Sequence, residues 1–151
     1  MSGGLLSFGP RIEGLRYRRR PGAYAVLFVG EQHVGVIETR AGVHLPGGGV
    51  EAGESIHAAL LRECREEIGH QVEAGEAFAR ALQHVQTVSG PIAKDSHFFL
   101  ATLGARTEGT PEHDLLWLPV PRALERLTPE SHVWAVREAF EARDVDEEDD
   151  R

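Results

Sequence analysis

The chain lacks the features that mark exported and membrane-spanning proteins. Its 151 residues include a single cysteine, Cys64, which excludes an intramolecular disulfide framework. The first twenty residues lack the charged-then-apolar order of a signal peptide, and no apolar run approaches the roughly 20 residues needed to span a bilayer. We therefore expect a cytoplasmic protein that is not bound to a membrane. The length suits one domain with a real core and crowds a second.

Charge is distributed unevenly along the chain. The formal net charge is -8, and residues 144–151 carry six acids against Arg151, which leaves -3 for the rest. This acidic tail is too charged to pack, so we predict that it is disordered. The arginine arm, residues 11–20, holds five arginines against Glu13. It is interpreted either as a solvated basic segment near a strand edge or as a contact for phosphates. Nucleic-acid binding is disfavoured because body and tail are both acidic.

Hydrophobic periodicity predicts strands and helices in irregular alternation. Short connections between several strands indicate antiparallel pairs, and the economical architecture is a mixed sheet covered by helices on its faces. Val72–Gly75 is interpreted as a turn, and a polar loop that includes Ser89-Gly90-Pro91 is expected between the predicted strands 78–88 and 97–103. The predicted strands are 23–29, 34–38, 78–88, 97–103 and 115–118, with a short piece at 43–46, and the predicted helices are 55–68, 121–127 and 131–143.

The predicted helix 55–68 has an apolar stripe in which residues recur every four positions from Ile56 to Ile68. Ser55 or Glu54 is suited to cap its start, and Gly69 is a natural stop. Cys64 belongs to the stripe and is interpreted as a core residue, because nothing nearby would lower the pKa of its thiol.

The same helix carries three carboxylates, Glu63, Glu66 and Glu67, here called the acidic cluster. Their spacing of three and four residues places them on one side of the helix, where they repel one another unless a cation intervenes. Hard ions such as Mg²⁺ take carboxylate oxygens and can also hold phosphate. A glycine-rich loop, Gly47 to Gly49, lies just upstream. Arg62 can pair with Glu66, which either steadies the helix or orients a ligand.

Two other motifs are weaker. Residues 47–52 match the G-x-G-x-x-A pattern of dinucleotide-binding loops, but at least one strand pair precedes them and the next helix is acidic. None of the eight histidines forms H-E-x-x-H or pairs with the cysteine at zinc-ligand spacing. His84 and His97 lie on predicted strands beside the expected cleft and are candidates for substrate contact.

The spacing of the whole stretch from 48 to 70 resembles the Nudix box. Gly48 is followed after five residues by Glu54, and after seven more by the sequence Arg62-Glu63-Cys64-Arg65-Glu66-Glu67-Ile68-Gly69. Cys64 and His70 stand where a bulky aliphatic residue is usual. The lead-in from Leu45 to Gly49 and the segment from Trp117 to Pro119 are also similar to the family.

This resemblance implies an α/β/α sandwich with a mixed sheet over residues 15–143, preceded by an N-terminal segment, 1–14. It implies hydrolysis of a nucleoside diphosphate linked to another group, with Mg²⁺ or Mn²⁺ as cofactor. Pairing of subunits is common in the family, so a homodimer is possible, although the chain shows no unambiguous interface.

The resemblance also assigns roles to individual residues. The acidic cluster would bind the metal together with the carbonyl of Gly47, and Arg62 would hold a glutamate in place. Glu63 or Glu66 would accept the proton of the attacking water, or a loop acid, Glu112 or with less support Asp114, would do so. The remaining predicted roles are substrate binding by Arg18, Arg20, Gly48 and Glu112, catalysis by Glu63, Glu66 and Arg62, and support of the motif by Glu54 and Gly69.

The substrate is less defined than the chemistry. The proline typical of ADP-ribose hydrolases is replaced by Val85, and the tyrosine typical of diadenosine polyphosphate hydrolases is missing near Gln86. The class that remains is (deoxy)nucleoside triphosphates, including oxidised ones, or a nucleotide sugar. The alternative is a nucleotide-binding or regulatory module that uses the fold without turnover.

Overall fold

A computed structural model describes residues 5–149, and side chains are described as far as residue 143. Residues 5–149 form nine strands and three helices. In chain order the elements are β1 (Leu6–Phe8), β2 (Arg18–Val29), β3 (His33–Thr39), β4 (Gly42–His44), β5 (Gly47–Gly49), α1 (Ile56–Ile68), β6 (His70–Ala74), β7 (Ala79–Thr87), β8 (Gly90–Arg106), β9 (Leu116–Pro119), α2 (Val120–Arg126) and α3 (Glu130–Asp149).

The strands form one mixed sheet in the order β1-β7-β8-β2-β3-β4. Two neighbouring pairs are parallel, β1 with β7 and β2 with β8, and the others are antiparallel. The remaining short strands extend this path, since β5 pairs with β2, β6 with β8 and β9 with β3. The long pair β2 and β8 is therefore the centre of the sheet.

Side chains alternate across β2 and divide the core in two. Tyr24 and Val26 join a cluster beneath α2 and α3, on what is here called the α3 face. Ala23, Ala25 and Leu27 join a cluster beneath α1, on the α1 face. Because both faces of the strand are covered, its sequence is a continuous apolar run. The predicted mixed sheet between helices is confirmed.

Helix α1 has the boundaries that its sequence predicts. The Ser55 hydroxyl accepts a hydrogen bond from the Ala58 N–H at 3.0 Å, and Gly69 ends the helix at a left-handed φ of 71°. Cys64 is fully buried, and burial raises the pKa of its thiol to about 12. This confirms Cys64 as a core residue, because at neutral pH the thiolate is disfavoured.

Two sequence predictions are wrong around β8. Val72–Gly75 was interpreted as a turn, but His70–Ala74 is a strand paired with the distal half of β8. The polar loop expected before residue 97 is also strand, because β8 begins at Gly90 and pairs with both β2 and β7. Pairing on both sides outweighs the low strand propensity of Pro91, Lys94 and Asp95.

The two ends of the chain also differ from expectation. Strand β2 begins at Arg18, so part of the arginine arm is strand. Disorder is expected from 144 to 151, whereas the backbone of α3 continues to Asp149, since extending a packed helix avoids the cost of nucleation. Residues 150 and 151 lie outside the described residues. Within residues 5–149, no helix is long and apolar enough to cross a membrane.

Candidate active site

The glycines of β5 lie directly on α1. Gly48 pairs with Ala23 of β2, and the N–H of Gly47 donates to Oε1 of Glu67 at 2.7 Å. A Cβ on Gly48 would stand 2.6 Å from the carboxyl carbon of Glu63. A Cβ on Gly47 would be blocked by the backbone of Ala23. The strand therefore needs glycine at these positions to approach the acidic cluster.

Arg62 is the centre of the hydrogen-bond network at this site. Its Nε and Nη2 donate to the two carboxylate oxygens of Glu54 at 2.8 and 3.0 Å, a bidentate pair. Nη2 also donates to the carbonyl of Gly49 at 2.9 Å. Nη1 donates to Glu63 at 3.0 Å and to Glu66 at 3.2 Å. One guanidinium thus connects the loop, its support Glu54 and two members of the acidic cluster.

Glu54 links this network back to the loop before α1. Its Oε1 accepts the N–H of Glu51 at 3.0 Å in addition to the bonds from Arg62. These hydrogen bonds, that from Arg62 first, lower the pKa of Glu54 to about 2. The same contact with Glu54 raises the pKa of Arg62, so both groups stay charged. Glu54 therefore joins the loop before α1 to Arg62.

The acidic cluster holds more negative charge than Arg62 can offset. Burial raises the pKa of Glu67 to about 8. The hydrogen bond from the Gly47 N–H acts to lower this pKa, whereas the nearby carboxylates of Glu63, Glu112 and Glu66 act to raise it. Burial also raises the pKa of Glu63, against the influence of Arg62. Among the described residues Glu67 accepts a neutral N–H and pairs with no cationic side chain. The site therefore lacks a positive charge, which a divalent cation would supply.

The donor set suits a hard divalent cation, but its members are turned to other partners. Among the side chains described, those of residues 5–143, no three Asp, Glu, His or Cys are arranged to hold a metal ion. Arg62 takes one oxygen each of Glu63 and Glu66, and Gly47 takes one of Glu67. Three carboxylates beside an open glycine strand nevertheless fit Mg²⁺ or Mn²⁺, which prefer oxygen ligands.

The loop before β9 brings one of the two candidate loop acids to the cluster. The N–H of Glu112 donates to the Glu66 carbonyl at 3.0 Å, and that of His113 donates to the Glu67 carbonyl at 2.9 Å. The Glu112 carboxylate is close enough to contribute to the raised pKa of Glu63 and Glu67. Asp114 lines a separate cavity beside Arg106 and Trp117. The geometry favours Glu112 over Asp114.

A cavity of about 480 Å³, here called the α3-side cavity, opens on the other face of the sheet. Tyr24 forms its wall toward the glycine strand, where Gly47 would carry a Cβ 2.8 Å from the tyrosine ring. Burial, followed by Glu67 and Glu63, raises the pKa of Tyr24 to about 12. One residue of β2 therefore separates this cavity from the acidic cluster.

The cavity is lined by polar groups that its surroundings hold in place. Gln83 accepts the N–H of Ser131 at 2.9 Å, and Nδ1 of the buried His132 accepts the N–H of Leu45 at 3.1 Å. The Ser131 hydroxyl is buried and has no hydrogen-bond partner among the described residues. Lys94 also lines the cavity. These groups give a ligand both donors and acceptors.

Several residues proposed as substrate contacts lie elsewhere. His84 is buried against Ser7, and His97 stands 3.5 Å from Asp95; both are on the α1 face, outside the α3-side cavity. Arg18 and Arg20 are exposed at the start of β2. Alternation places them on the face of Tyr24, although neither lines the cavity.

The sequence interpretation missed the residues that line the α3-side cavity. The available signal was strand alternation, since Tyr24, Gln83, Lys94 and Ser96 occupy alternate positions that face one side of the sheet. Ser131 was identified as a helix cap, but its position beside Gln83, 48 residues earlier, is not visible in the sequence.

Comparison with known proteins identifies the family. A NUDIX domain model matches residues 18–144. The Escherichia coli ORF135 protein is similar in structure, with 25% identity and a TM-score of 0.65 over 83% of this chain and 91% of that one. A MutT NUDIX hydrolase from Burkholderia pseudomallei has 25% identity and a TM-score of 0.58 over 82% and 97% of the two chains.

A third similar structure comes from work on MutT of Aliivibrio salmonicida and Vibrio cholerae. It has 26% identity and a TM-score of 0.57, and the match covers 80% of this chain and 95% of that one. The chain belongs to the Nudix family of pyrophosphohydrolases, and its structural neighbours are of the MutT type. The family assigned from the spacing of residues 48–70 is confirmed.

Proposed function

We propose that this chain hydrolyses a phosphoanhydride bond of a (deoxy)nucleoside triphosphate, with the nucleoside in the α3-side cavity and the phosphates at the acidic cluster. The observation that supports this most strongly is the position of Tyr24, which lines the cavity and also contacts the glycine strand above Glu67. A nucleotide with its base in the cavity would reach around this ring toward the carboxylates. We also propose that the reaction takes place in the cytoplasm.

In this proposal Glu63, Glu66 and Glu67 hold Mg²⁺ or Mn²⁺ together with the carbonyl of Gly47. The bound cation would neutralise phosphate charge and lower the pKa of a coordinated water. Because Arg62 already contacts Glu63 and Glu66, it would position these carboxylates as they turn to their ligand.

A carboxylate must also accept the proton of the water that attacks phosphorus. Glu63, Glu66 and Glu112 are the candidates, and the backbone bond between Glu112 and the end of α1 supports including the loop acid. Arg18 and Arg20 are proposed to contact the distal phosphates, because they lie on β2 before the residues that pair with the glycine strand.

The α3-side cavity supports a nucleoside as the bound group. Its volume of about 480 Å³ lies in the range of small-molecule sites. Lys94 and the unpartnered hydroxyl of Ser131 offer donors to the oxygens of a base, and burying that hydroxyl without a partner is unfavourable. A nucleotide sugar would place its sugar outside this cavity, which is why triphosphates are preferred.

The decisive experiment incubates purified protein with nucleoside triphosphates, oxidised triphosphates and nucleotide sugars, each with Mg²⁺ or Mn²⁺. We expect release of phosphate or pyrophosphate from triphosphates. In Glu67→Gln the amide oxygen can still accept the Gly47 N–H, so the fold should persist. Activity should nevertheless fall by more than the ~10–100-fold seen when an outer-shell partner of a metal is removed.

Glu73→Gln is the matched control, because Glu73 is an exposed acid on β6 and the same chemical replacement is made outside the acidic cluster. Its activity should equal that of the parent. Undiminished turnover by Glu67→Gln would refute the proposed site. Nucleotide binding without hydrolysis across the whole panel would instead favour a module without turnover.

A further inference from the structure

A second cavity lies on the α1 face of the sheet, beneath the segment that connects β1 to β2. It has a volume of about 520 Å³ and is here called the arginine cavity. Three arginines, Arg11, Arg16 and Arg19, line it together with His84. Neither the acidic cluster nor any residue of the α3-side cavity takes part. The full lining is Leu5, Ser7, Arg11, Leu15, Arg16, Tyr17, Arg19, Leu82, His84 and Ala93.

The arginine cavity is strongly basic, and no acid lines it among the described residues. The carboxylate of Asp95 is shared between Arg19 and Arg80. Arg19 uses only its Nε for this contact, at 3.1 Å. Among the side chains that the structure describes, which end at residue 143, Arg11 and Arg16 form no ion pair. Three arginines thus line one cavity that no acidic residue lines among the described residues.

The walls of this cavity are held in a fixed shape. The Ile12 N–H donates to the Tyr17 hydroxyl at 3.0 Å, which closes the connecting segment on itself. The Tyr17 ring packs edge-on against His84 at 4.8 Å, and His84 Nδ1 lies 3.1 Å from the Ser7 hydroxyl. Leu15 and Leu82 supply an apolar wall. All three arginines are exposed, so an anion can reach them from solvent.

We propose that the arginine cavity binds a phosphoryl dianion through Arg11, Arg16 and Arg19. The planar fork of a guanidinium matches the oxygens of phosphate. Three arginines around one cavity offer more positive charge and more hydrogen-bond donors than a singly charged carboxylate would use, which favours a dianion. The site is separate from the proposed active site, because Arg19 precedes Ala23, the partner of Gly48, by four residues of β2, about 13 Å of strand. It does not depend on the proposed hydrolysis.

The test measures binding of inorganic phosphate to the full chain by isothermal titration calorimetry, with divalent cations removed by a chelator. In Arg11→Ala/Arg16→Ala we expect affinity to fall about tenfold or more, because two charge-assisted contacts are lost. Arg40→Ala/Arg137→Ala is the matched control, since both arginines are exposed and the same two charges are removed. It should bind as the parent does.

A second pair of variants separates this site from the proposed active site. Arg18→Ala/Arg20→Ala removes two arginines from the opposite face of the same strand, where they are proposed to contact the phosphates of the substrate. In this variant phosphate should still slow amide exchange in residues 9–17. Loss of that protection, unchanged binding in Arg11→Ala/Arg16→Ala, or no binding to the parent would overturn the proposal.

Two further measurements identify the source of the ligand and its place. Adenosine monophosphate is titrated in parallel: equal affinity assigns the site to any phosphoryl group, whereas binding of inorganic phosphate alone assigns it to the free ion. Hydrogen exchange then locates the site. Phosphate should slow amide exchange in residues 9–17 of the parent and leave the rates of Arg11→Ala/Arg16→Ala unchanged. Protection confined to other parts of the chain would contradict the assignment.

Discussion

At the scale of single residues, the missing side chain of Gly48 is as important as the carboxylates beside it. The φ of Gly48 is not positive, so its backbone would accept any L residue. A Cβ there would nevertheless stand 2.6–2.8 Å from the carboxyl atoms of Glu63. Glycine is therefore required by the neighbouring carboxylate and not by the conformation of the chain.

Gly48→Ala should consequently damage the site and spare the fold. The methyl group would displace the Glu63 carboxylate, and we expect kcat/KM to fall about 10–100-fold, as for other losses of positioning around a metal. The free energy of unfolding should change by less than about 1 kcal/mol, since alanine also restricts the unfolded chain. Turnover assays and urea denaturation measure the two effects.

Gly49→Ala is the matched control, because a Cβ on Gly49 would have no atom within 4 Å. It should retain the activity of the parent. Equal activities of Gly48→Ala and Gly49→Ala would contradict the inference that the space at Gly48 keeps the Glu63 carboxylate in position.

The residues of the acidic cluster and Arg62 were predictable because they lie within one turn or two of each other on a single helix. Their spacing alone decides which of them are neighbours. The α3-side cavity was not predictable in this way. His132 and Leu45 are bonded across 87 residues of sequence, and that contact exists only once α3 packs on the sheet.

At the scale of elements, Asp95 explains how a strand forms where the sequence indicates a loop. Its carboxylate is buried at the centre of β8 and accepts two bonds from Arg80 of β7, at 2.8 and 2.7 Å. Arg19 of β2 donates a third at 3.1 Å. One carboxylate thus ties three adjacent strands together. Its partners stand 15 and 76 residues away, so the local sequence could not reveal this role.

Asp95→Asn should lower the free energy of unfolding by about 1–2 kcal/mol. This is at the lower end of the range for hydrogen bonds to a buried charge, because Arg19 and Arg80 are both half-exposed. The hydrogen bond from Arg80 lowers the pKa of Asp95. Burial opposes this shift, and the charges of His97 and Arg19 add to it. The stabilisation by Asp95 is therefore complete above pH 3.8, the ordinary pKa of an aspartate. It is lost as the pH falls through the lower pKa that Asp95 has in the folded state.

Urea denaturation at neutral pH and below pH 3.8 checks this prediction. The difference between Asp95→Asn and the parent should be largest at neutral pH and shrink in acid. Glu108→Gln removes an exposed acid and should show neither effect. A difference that does not depend on pH would mean that Asp95 acts through packing and not through its charge.

The elements differ in how much their own sequence determines them. Helix α1 was predicted to within a residue, since its apolar stripe, the Ser55 cap and the Gly69 stop are all local signals. β6 and the first half of β8 were missed because strands of mixed polarity take their conformation from their neighbours. β8 touches three other strands, and none of these contacts is short in sequence except the hairpin with β7.

At the scale of the molecule, β2 connects the three sites described above. Its first residues contribute Arg19 to the arginine cavity, Ala23 pairs with Gly48 above the acidic cluster, and Tyr24 forms a wall of the α3-side cavity. The two cavities lie on opposite faces of the sheet because successive side chains of a strand point in opposite directions. Unfolding of this strand, or of the core on either side of it, would therefore disrupt all three sites together.

His132 makes that stability depend on pH. It is buried between Tyr24, His44 and Phe98, with Lys94 close enough to disfavour a further positive charge. Burial, then His44 and Lys94, lowers the pKa of His132 well below 6.5, so the folded state holds it neutral. The unfolded chain takes up the proton below pH 6.5. Stability is therefore complete above pH 6.5 and is lost as the pH falls toward the lower value of the folded state.

We expect the free energy of unfolding to decline below pH 6.5 by as much as about 1.4 kcal/mol per pH unit from this group. His132→Asn should flatten that decline, because the amide oxygen can accept the Leu45 N–H in place of Nδ1 and does not titrate. Replacement of the exposed His33 by asparagine should leave the decline as it is in the parent. Urea denaturation across this pH range decides the matter: a parent profile that His132→Asn leaves unchanged would show that the acid sensitivity of the fold arises elsewhere.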